Sequence, residues 1–404
     1  MKLSKMRWVD HWFGMPLCFM LGICAVLGRK VLGRRKREIS GRRPLAVFKF
    51  FGLGSIMEAT PLLRAIRRRY PQARLIFVTF GSNKLIINRL HVCDELRVIR
   101  TDSPMHFVLD VVSTIFWLRS RRTEAVIDLE FFSKFSTLLS FLSGASIRVG
   151  FHLNDFWRYS LVTHPIYFNY FRHISDVYDE AGRQLDVTVS DRSLSRIEPT
   201  EAEAESVRQF LGKHGLSEGK VLLGVNVNSG ELSLERRWPK EKWGVLMSAL
   251  TARHDNIYMV MTGSPDEQAY VESVKAGVEQ KYRERIIVAA GEFSLMEFVA
   301  GLSLFAGFVT GDSGPLHLAA AHDVPIVSVW GPSRPGFYCP RRDNIRCIFK
   351  DYHCSPCVCM FTTFEGMWCK HEAWCMEAIE PKTVLDAVES MLAEAQDKRK
   401  VERN

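Results

Sequence analysis

One loop towards the C-terminal end combines small, polar and acidic residues at a spacing that could do chemistry. The stretch TGDSGPLHLAAAHDVP (310–325) contains GDSG (311–314), the order that surrounds the nucleophilic serine in chymotrypsin-like proteases, and His322 follows it. Those proteases place the tetrad in an all-β barrel, with the histidine far upstream. The nucleophile turn of α/β hydrolases reads G-x-S-x-G, which this stretch does not match. The pattern therefore disfavours Ser313 as a nucleophile.

The same turn is better suited to binding an anion. A glycine-bracketed turn at a helix N-terminus directs unpaired backbone N–H groups and the helix dipole at one point, which favours phosphate. Pro315 fits the first helical turn, and we expect the Ser313 hydroxyl to cap the helix. A carboxylate repels phosphate, so we expect Asp312 to accept hydrogen bonds from sugar hydroxyls. His317 either faces the ligand or is an ordinary helix residue, and a well-capped structural turn is the alternative for the whole stretch.

A second glycine-containing loop follows the first strand-like run. The stretch FKFFGLGSIMEATPLLRAIRRRYP (48–71) predicts a strand, a turn at Gly52–Gly54 and a helix that begins at Ser55. The dinucleotide fingerprint G-x-G-x-x-G requires a third glycine, and Met57 stands in its place. The sequence therefore disfavours an NAD-type oxidoreductase.

A third loop brings arginines to the end of a strand. In VNVNSGELSLERRWPKEKW (225–243) the strand ends among small polar residues that include Asn228 and Ser229, and Arg236-Arg237 then precedes a predicted helix. Guanidinium groups bind phosphate oxygens bidentately, so this position suits a diphosphate. A solvated arginine pair beside a core tryptophan is the alternative.

The elements that must position these loops alternate between strand and helix. Short apolar runs predict strands at 45–50, 75–80, 125–130, 147–151, 221–227, 257–263, 286–291, 305–311 and 324–331. Helical-length segments separate them, which predicts an α/β fold with largely parallel sheets. Ligands of such sheets bind at the carboxyl ends of the strands.

A polar stretch in the middle of the chain marks a domain boundary. Thr200 and Glu203 form a capping box that begins a helix there. We therefore expect an N-terminal segment (1–43), a first α/β domain (44–199) and a second α/β domain with a final helix (200–404).

The net charge of +9 belongs to the N-terminal segment. Residues 1–43 hold eleven Lys and Arg against Asp10 and Glu38, so the remaining chain has equal numbers of basic and acidic groups. Nucleic-acid binding needs a basic face on the folded domain, so the composition excludes nucleic acid as the main partner.

An apolar stretch of fifteen residues, FGMPLCFMLGICAVL (13–27), lies within this segment. A secretory signal is disfavoured because the basic run follows the stretch and no convincing cleavage site appears. A membrane-spanning helix would need about 20 apolar residues. Flanking tryptophans and the basic run favour an anchor lying in the membrane surface, on the cytoplasmic side. A buried helix with a solvated basic linker is the alternative.

Seven of the ten cysteines fall between Cys339 and Cys375. Cys354-x2-Cys357 resembles half of a zinc site, but the second half is irregular. A structural zinc stays open as an alternative. The further candidate ligands are His353, Cys359, Cys369, His371 and Cys375.

Together these loops resemble glycosyltransferase family 9, the heptosyltransferases of lipopolysaccharide core assembly. The motifs run in order over about residues 44–390: GLGSIMEATPLLRAIRRRYP (52–71), RVGF (148–151), RRWPKEKW (236–243), TGSPDE (262–267) and TGDSGPLHLAAAHDVPIVSVWGPS (310–333). The resemblance implies a GT-B fold, with two Rossmann-like domains facing a central cleft. It places the nucleotide-sugar donor mainly on the C-terminal domain and the acceptor on the N-terminal domain. It also implies inversion of the anomeric centre without a metal or a cofactor.

The resemblance also implies roles for single residues. Asp312, Ser313 and Gly314 would bind the donor sugar and its diphosphate, Arg236 the diphosphate and Glu267 the ribose. The other residues expected to line the substrate are Gly54, Asn228, Ser229 and His317.

The first loop departs from the family pattern at the general base. Family members often have an aspartate directly after the glycine of this loop, where this chain has Ser55. A serine cannot act alone as a base near neutral pH. Glu58, one helical turn further on, is the substitute candidate, and a solvated helix residue is its alternative role.

The sequence therefore predicts a glycosyltransferase that moves a sugar, with heptose from ADP-heptose as the best candidate, onto lipopolysaccharide core or a similar glycolipid. It would act at the cytoplasmic face of the inner membrane, attached through residues 1–43. The alternative is a family member that binds nucleotide sugars or forms complexes without transferring a sugar.

Overall fold

The computed structural model describes residues 3–32, 39–131, 133–152, 158, 160–216, 219–229, 233–357, 369 and 373–403. The chain divides into two compact units, and the main division falls between Ser195 and Arg196. We call them the N-terminal unit and the C-terminal unit and describe each by itself. The acceptor and donor roles expected for the two α/β domains stay predictions.

The N-terminal unit contains one parallel sheet between layers of helices. Its strands are β1 (Leu45–Phe48), β2 (Leu75–Phe80), β3 (Glu95–Ile99), β4 (Ala125–Asp128), β5 (Ile147–His152) and β6 (His164–Tyr167). Its helices are α1 (Leu3–Trp12), α2 (Gly14–Leu32), α3 (Leu53–Arg69), α4 (Lys84–Leu90), α5 (Pro104–Ser120), α6 (Lys134–Leu142) and α7 (Ile174–Arg183). The strand order is β3-β2-β1-β4-β5-β6 and each neighbouring pair is parallel. This doubly wound order places a topological switch point between β1 and β4.

The C-terminal unit repeats this plan. Its strands are β7 (Val221–Asn226), β8 (Ile257–Met261), β9 (Ile286–Val288), β10 (Gly307–Gly311), β11 (Ile326–Trp330) and β12 (Ile345–Phe349). Its helices are α8 (Glu201–Lys213), α9 (Lys240–Arg253), α10 (Gln268–Lys275), α11 (Leu295–Leu302), α12 (Gly314–Ala321), α13 (Pro335–Tyr338), α14 (Trp374–Glu377) and α15 (Pro381–Arg403). The parallel order β12-β11-β10-β7-β8-β9 places the switch point between β7 and β10.

Five of the inner strands are buried along their whole length. β1, β2 and β4 have no exposed position, and β10 and β11 are buried in the same way. Helices cover both faces of a parallel sheet, so its strands are continuous apolar runs rather than alternating ones. This burial explains why the sequence pattern located these strands.

One predicted helix start is confirmed and another is wrong. The capping box is present at the start of α8, where Thr200 N–H donates to Glu203 and Glu203 N–H donates to the Thr200 hydroxyl. The helix after the first glycine loop begins at Leu53 rather than Ser55, because Gly52 adopts φ 82° and ends the turn earlier. Strands β3, β6 and β12 were not predicted.

The N-terminal segment forms two helices that pack on the N-terminal unit. The Asp10 carboxylate of α1 accepts hydrogen bonds from Lys134 N at 3.1 Å and Phe135 N at 2.6 Å, the first backbone amides of α6. Cys18 of α2 is fully buried. By length and composition the stretch Trp8–Leu27 could cross a membrane. Most large apolar side chains of α2 are exposed, so α2 is not the buried helix of the alternative interpretation.

Candidate active site

The C-terminal unit gathers polar side chains at its switch point, where β7 and β10 end. Asn226 Nδ2 donates to the Ser313 hydroxyl at 3.0 Å and to the Thr310 hydroxyl at 3.3 Å, and the two hydroxyls lie 3.1 Å apart. Ser313 occupies the N-cap position of α12, but its side chain makes no capping hydrogen bond. The expected hydroxyl cap is therefore wrong, because Asn226 and Thr310 turn the hydroxyl towards the strand ends.

Arg236 joins the loop after β7 to the loop after β10. Its Nη1 donates to the Asp312 carbonyl at 3.0 Å and to the Asp312 carboxylate at 3.1 Å, and its Nη2 donates to the Ser229 carbonyl at 2.6 Å. Both partners of the ion pair are largely buried, with side-chain exposures of 14% for Arg236 and 10% for Asp312. Asp312 therefore forms an ion pair with Arg236, and this pair holds the arginine at the strand ends. The expected contact between Asp312 and a donor sugar stays a prediction.

Asn228 is a buried polar side chain at this edge. Its side chain is 2% exposed, and neither amide atom has a hydrogen-bond partner in the described part of the chain. Buried polar atoms in native proteins are nearly always hydrogen-bonded, to protein or to ordered water, so this amide is available to a ligand or to water. A carboxamide offers both a donor and an acceptor, which matches a group such as a sugar hydroxyl or a phosphate ester.

The remaining predicted residues of this unit lie at the same edge or just behind it. Gly314 is the first residue of α12, and His317, 3% exposed, follows one turn later. Glu267 lies after β8, where its carboxylate accepts a hydrogen bond from Ser264 N at 2.8 Å in a capping box. The structure therefore links Ser229 and Asp312 through Arg236, and it links Ser313 to Asn226 and Thr310. It places Glu267 in a local turn of its own.

In the N-terminal unit the first glycine loop leads directly into α3. Gly54 and Ser55 lie in the first helical turn, and Glu58 follows one turn later. Ser55 is 8% exposed and Glu58 is 3% exposed, so the alternative of a solvated Glu58 is wrong. The catalytic role of Glu58 stays a prediction.

The sequence interpretation missed a buried ion pair that holds this loop. Glu130 Oε1 accepts hydrogen bonds from Lys49 Nζ at 2.9 Å, Phe50 N at 2.6 Å and Phe51 N at 2.9 Å. Lys49 follows β1 and Glu130 follows β4, so the pair lies at the switch point of this unit. The run AVIDLE (125–130) carried the signal, because its two acids come at the end of an otherwise apolar strand.

Asp128, at the end of β4, is a second buried acid beside this pair. Its carboxylate accepts hydrogen bonds from Ser136 Oγ at 2.7 Å and Glu130 N at 3.0 Å. Burial raises the pKa of Asp128 to about 7, and the charge of Arg158 acts in the opposite direction. The carboxyl edge of this sheet therefore carries an acid that titrates near neutral pH.

The cysteine-rich stretch supplies no metal site among the described residues, where no three His, Cys, Asp or Glu side chains are grouped to hold an ion. Cys359 and His371, two of the candidate ligands, lie outside the described residues.

Two doubly wound parallel sheets, each with polar residues at its switch point, define an α/β enzyme of the GT-B type, and comparison with known proteins identifies the family. The model of glycosyltransferase family 9 (heptosyltransferase) matches residues 118–367, and the chain belongs to this family. The chain is therefore a glycosyltransferase.

Curated relatives and solved structures agree with this assignment. Lipopolysaccharide heptosyltransferase 2 of Salmonella typhimurium is 24% identical over 356 residues, which are 85% of this chain and 96% of the relative. A glycosyltransferase family 9 structure from Veillonella parvula superposes with a TM-score of 0.70 at 24% identity, covering 87% of this chain and 97% of that one. The E. coli ADP-heptose lipopolysaccharide heptosyltransferase II superposes with a TM-score of 0.65 at 19% identity, covering 87% and 99%. At these identities the structures support the fold.

Proposed function

We propose that this glycosyltransferase transfers heptose from ADP-heptose to lipopolysaccharide core or a similar glycolipid, with inversion and without a metal. The names of the relatives support the donor and the acceptor. The observation that carries the proposal is the Arg236–Asp312 pair together with the buried amide of Asn228, for which the described residues supply no hydrogen-bond partner. Together they offer a cation, an acceptor and an amide at the point where doubly wound sheets bind nucleotides.

The donor diphosphate would lie against Arg236 and the first amides of α12. Negative charge grows on the departing diphosphate during transfer, and a fixed guanidinium with backbone N–H groups stabilises it. Asp312 would hold Arg236 in place and accept from a sugar hydroxyl, Asn228 would bind the donor through its amide, and Glu267 would contact the ribose.

A side chain near the start of α3 in the N-terminal unit would deprotonate the acceptor hydroxyl. Glu58, held in the first turns of α3 near Ser55, is the proposed base, and Gly54 allows close approach of the acceptor. The enzyme would act at the cytoplasmic face of the inner membrane, where residues 1–43 attach it to the surface that carries a glycolipid acceptor.

A transfer assay with the full-length protein tests this proposal. The protein is incubated with heptose-deficient lipopolysaccharide and ADP-heptose, UDP-sugars or GDP-sugars in the presence of EDTA, and nucleotide release and the glycolipid product are measured. We expect turnover with ADP-heptose and an inverted linkage in the product. Binding of a donor without turnover would favour the non-transferring alternative, and turnover lost in EDTA would contradict the metal-free reaction.

The same assay tests the base. Removal of a general base lowers the rate by about 10²–10⁴-fold, so Glu58→Gln is expected to reduce kcat in that range with little change in the donor KM. Glu205→Gln, on the exposed surface of α8, is the matched control. A Glu58→Gln enzyme with the wild-type rate would place the base elsewhere.

A further inference from the structure

Helix α5 turns an uncharged apolar face to solvent. Met105 is 71% exposed and Phe116 is 67% exposed. Three further apolar residues at helical spacing, Val108, Leu109 and Val112, are also exposed. Positions three and four apart share one side of a helix, so the five residues form one stripe along α5. A soluble surface rarely leaves such a stripe without a partner.

The stripe belongs to the side of the sheet on which the N-terminal helices pack. Phe107 of α5 and Phe135 of α6 have ring centroids 5.2 Å apart, and both pack with Met6 of α1 on the same hydrophobic cluster. Asp10 of α1 binds the backbone of Phe135. Helices α1, α5 and α6 therefore share one packed layer on this side of the sheet.

Helices α1 and α2 and the residue between them also carry exposed apolar side chains. Trp8, Trp12, Phe13 and Met20 are each about half exposed or more. Tryptophan and phenylalanine beside aliphatic residues are the composition that enters the boundary between headgroups and acyl chains.

Basic side chains lie at the C-terminal end of the stripe. Arg43, Arg119 and Arg122 line one shallow pocket together with Glu124. The Glu124 carboxylate accepts hydrogen bonds from the Ser40 backbone N–H and from the Ser40 hydroxyl, at 2.9 Å each. With three guanidinium groups against one carboxylate the pocket is net positive, as the binding of anionic headgroups requires.

We propose that α5 is a second membrane-contact element, which lies in the plane of an anionic bilayer next to α1 and α2. The Met105–Phe116 stripe enters the acyl boundary, and Arg43, Arg119 and Arg122 bind lipid phosphates. This inference rests on the proposed membrane attachment through residues 1–43 and is independent of the transferase chemistry. The bilayer is favoured over a second copy of the chain because exposed tryptophans lie on a helix of the same packed layer and a cationic pocket lies at the end of the stripe.

Vesicle partitioning of the full-length protein tests the proposal with a matched pair of variants. Val108 on α5 and Val245 on α9 are 57% and 56% exposed, so Val108→Asp and Val245→Asp make the same change on equally exposed surfaces. Co-sedimentation with vesicles of phosphatidylglycerol and phosphatidylethanolamine gives the partition coefficient. An aspartate at the acyl boundary is costly, so we expect Val108→Asp to lower the coefficient about tenfold or more. Val245→Asp is expected to leave it unchanged.

Two further variants separate the apolar and basic contributions. Phe116→Leu keeps the apolar face and is expected to bind as the wild type does. Arg43→Gln is expected to lower partitioning about fivefold on anionic vesicles and to have no effect on phosphatidylcholine vesicles.

Three outcomes would overturn the inference in distinguishable ways. Equal partitioning of Val108→Asp and wild type would show that residues 1–43 attach the protein without α5. Failure of the wild type to bind any vesicle would also remove the proposed membrane attachment, while leaving the transferase assay unaffected. If Val108→Asp partitions as the wild type does but loses a dimer that the wild type forms in light scattering, the occupant of the α5 face is a second copy of the chain.

Discussion

At the scale of single residues, Arg236 is the side chain on which the proposed donor site depends. It donates three hydrogen bonds to the loops after β7 and β10, one of which is its ion pair with Asp312. A charge-assisted contact to a diphosphate strengthens in the transition state, so we expect Arg236→Ala to lower kcat/KM for ADP-heptose about 100-fold. Arg253→Ala, which removes a surface pair with Glu389, is the control and is expected to retain full activity. Equal activities of the two variants would contradict the donor role.

Asp128 should make the protein less stable as the pH rises. Its pKa is raised by burial from 3.8 to about 7, so between these values the folded chain holds a proton that the unfolded chain has lost. Its contribution to stability is therefore largest at low pH and falls as pH rises through this window, by at most about 1.4 kcal/mol per pH unit. Asp128→Asn removes the titration.

Urea denaturation at pH 5 and pH 8 measures this effect. We expect the stability of wild type relative to Asp128→Asn to fall from pH 5 to pH 8. Asp343→Asn, on an exposed loop, should show no comparable change relative to wild type. A difference between wild type and Asp128→Asn that does not vary with pH would show that the carboxylate does not titrate in this range.

At the scale of elements, a side chain of α1 caps the start of α6 and thereby joins α1 to the rest of the N-terminal unit. Asp10 satisfies two backbone amides at the start of α6, which have no acceptor within that helix. Asp10→Ala should cost about 1 kcal/mol at this contact and speed hydrogen exchange of the Phe135 amide. Asp255→Ala, at an exposed loop, is the control. Exchange at Phe135 that equals the wild-type rate would show that the cap does not hold the helix.

The same scale shows which elements the sequence could predict. The buried central strands are continuous apolar runs, and the pattern located them within a few residues. The three strands that it missed, β3, β6 and β12, are all edge strands. Each of them is only partly buried and carries charged or polar residues or a proline, as in ELRVI (95–99) and HPIY (164–167). A strand at the edge of a sheet is partly exposed and needs fewer apolar residues. Neither the hydrophobic period nor the residue composition of the sequence then identifies it as a strand.

The sequence predicted which loops carry the candidate site but not which of their residues pair with one another. Spacing identified the loop after β10 and the Arg236 loop, because a strand followed by small polar residues predicts a ligand-binding edge. The sequence could not show that Arg236 pairs with Asp312, 76 residues away, or Lys49 with Glu130, 81 residues away. Those contacts depend on the order of strands in each sheet, which no local pattern encodes.

At the scale of the whole molecule, charge and apolar surface are separated along the chain. The net charge of +9 is confined to residues 1–43, and the remainder is balanced. Membrane binding should therefore have two components, one electrostatic and one apolar. Attraction to anionic lipids is screened within about 10 Å at 0.1 M salt, whereas burial of the α5 stripe is not.

Salt should separate these two components. We expect partitioning on anionic vesicles to fall about tenfold between 0.05 and 0.5 M NaCl and then to level off, while partitioning on phosphatidylcholine vesicles stays constant. Val108→Asp should lower the level that remains at high salt, and Arg43→Gln should lower only the salt-sensitive part. Partitioning that vanishes in high salt would mean that charge alone attaches the protein, and the exposed apolar faces of α2 and α5 would then need a different partner.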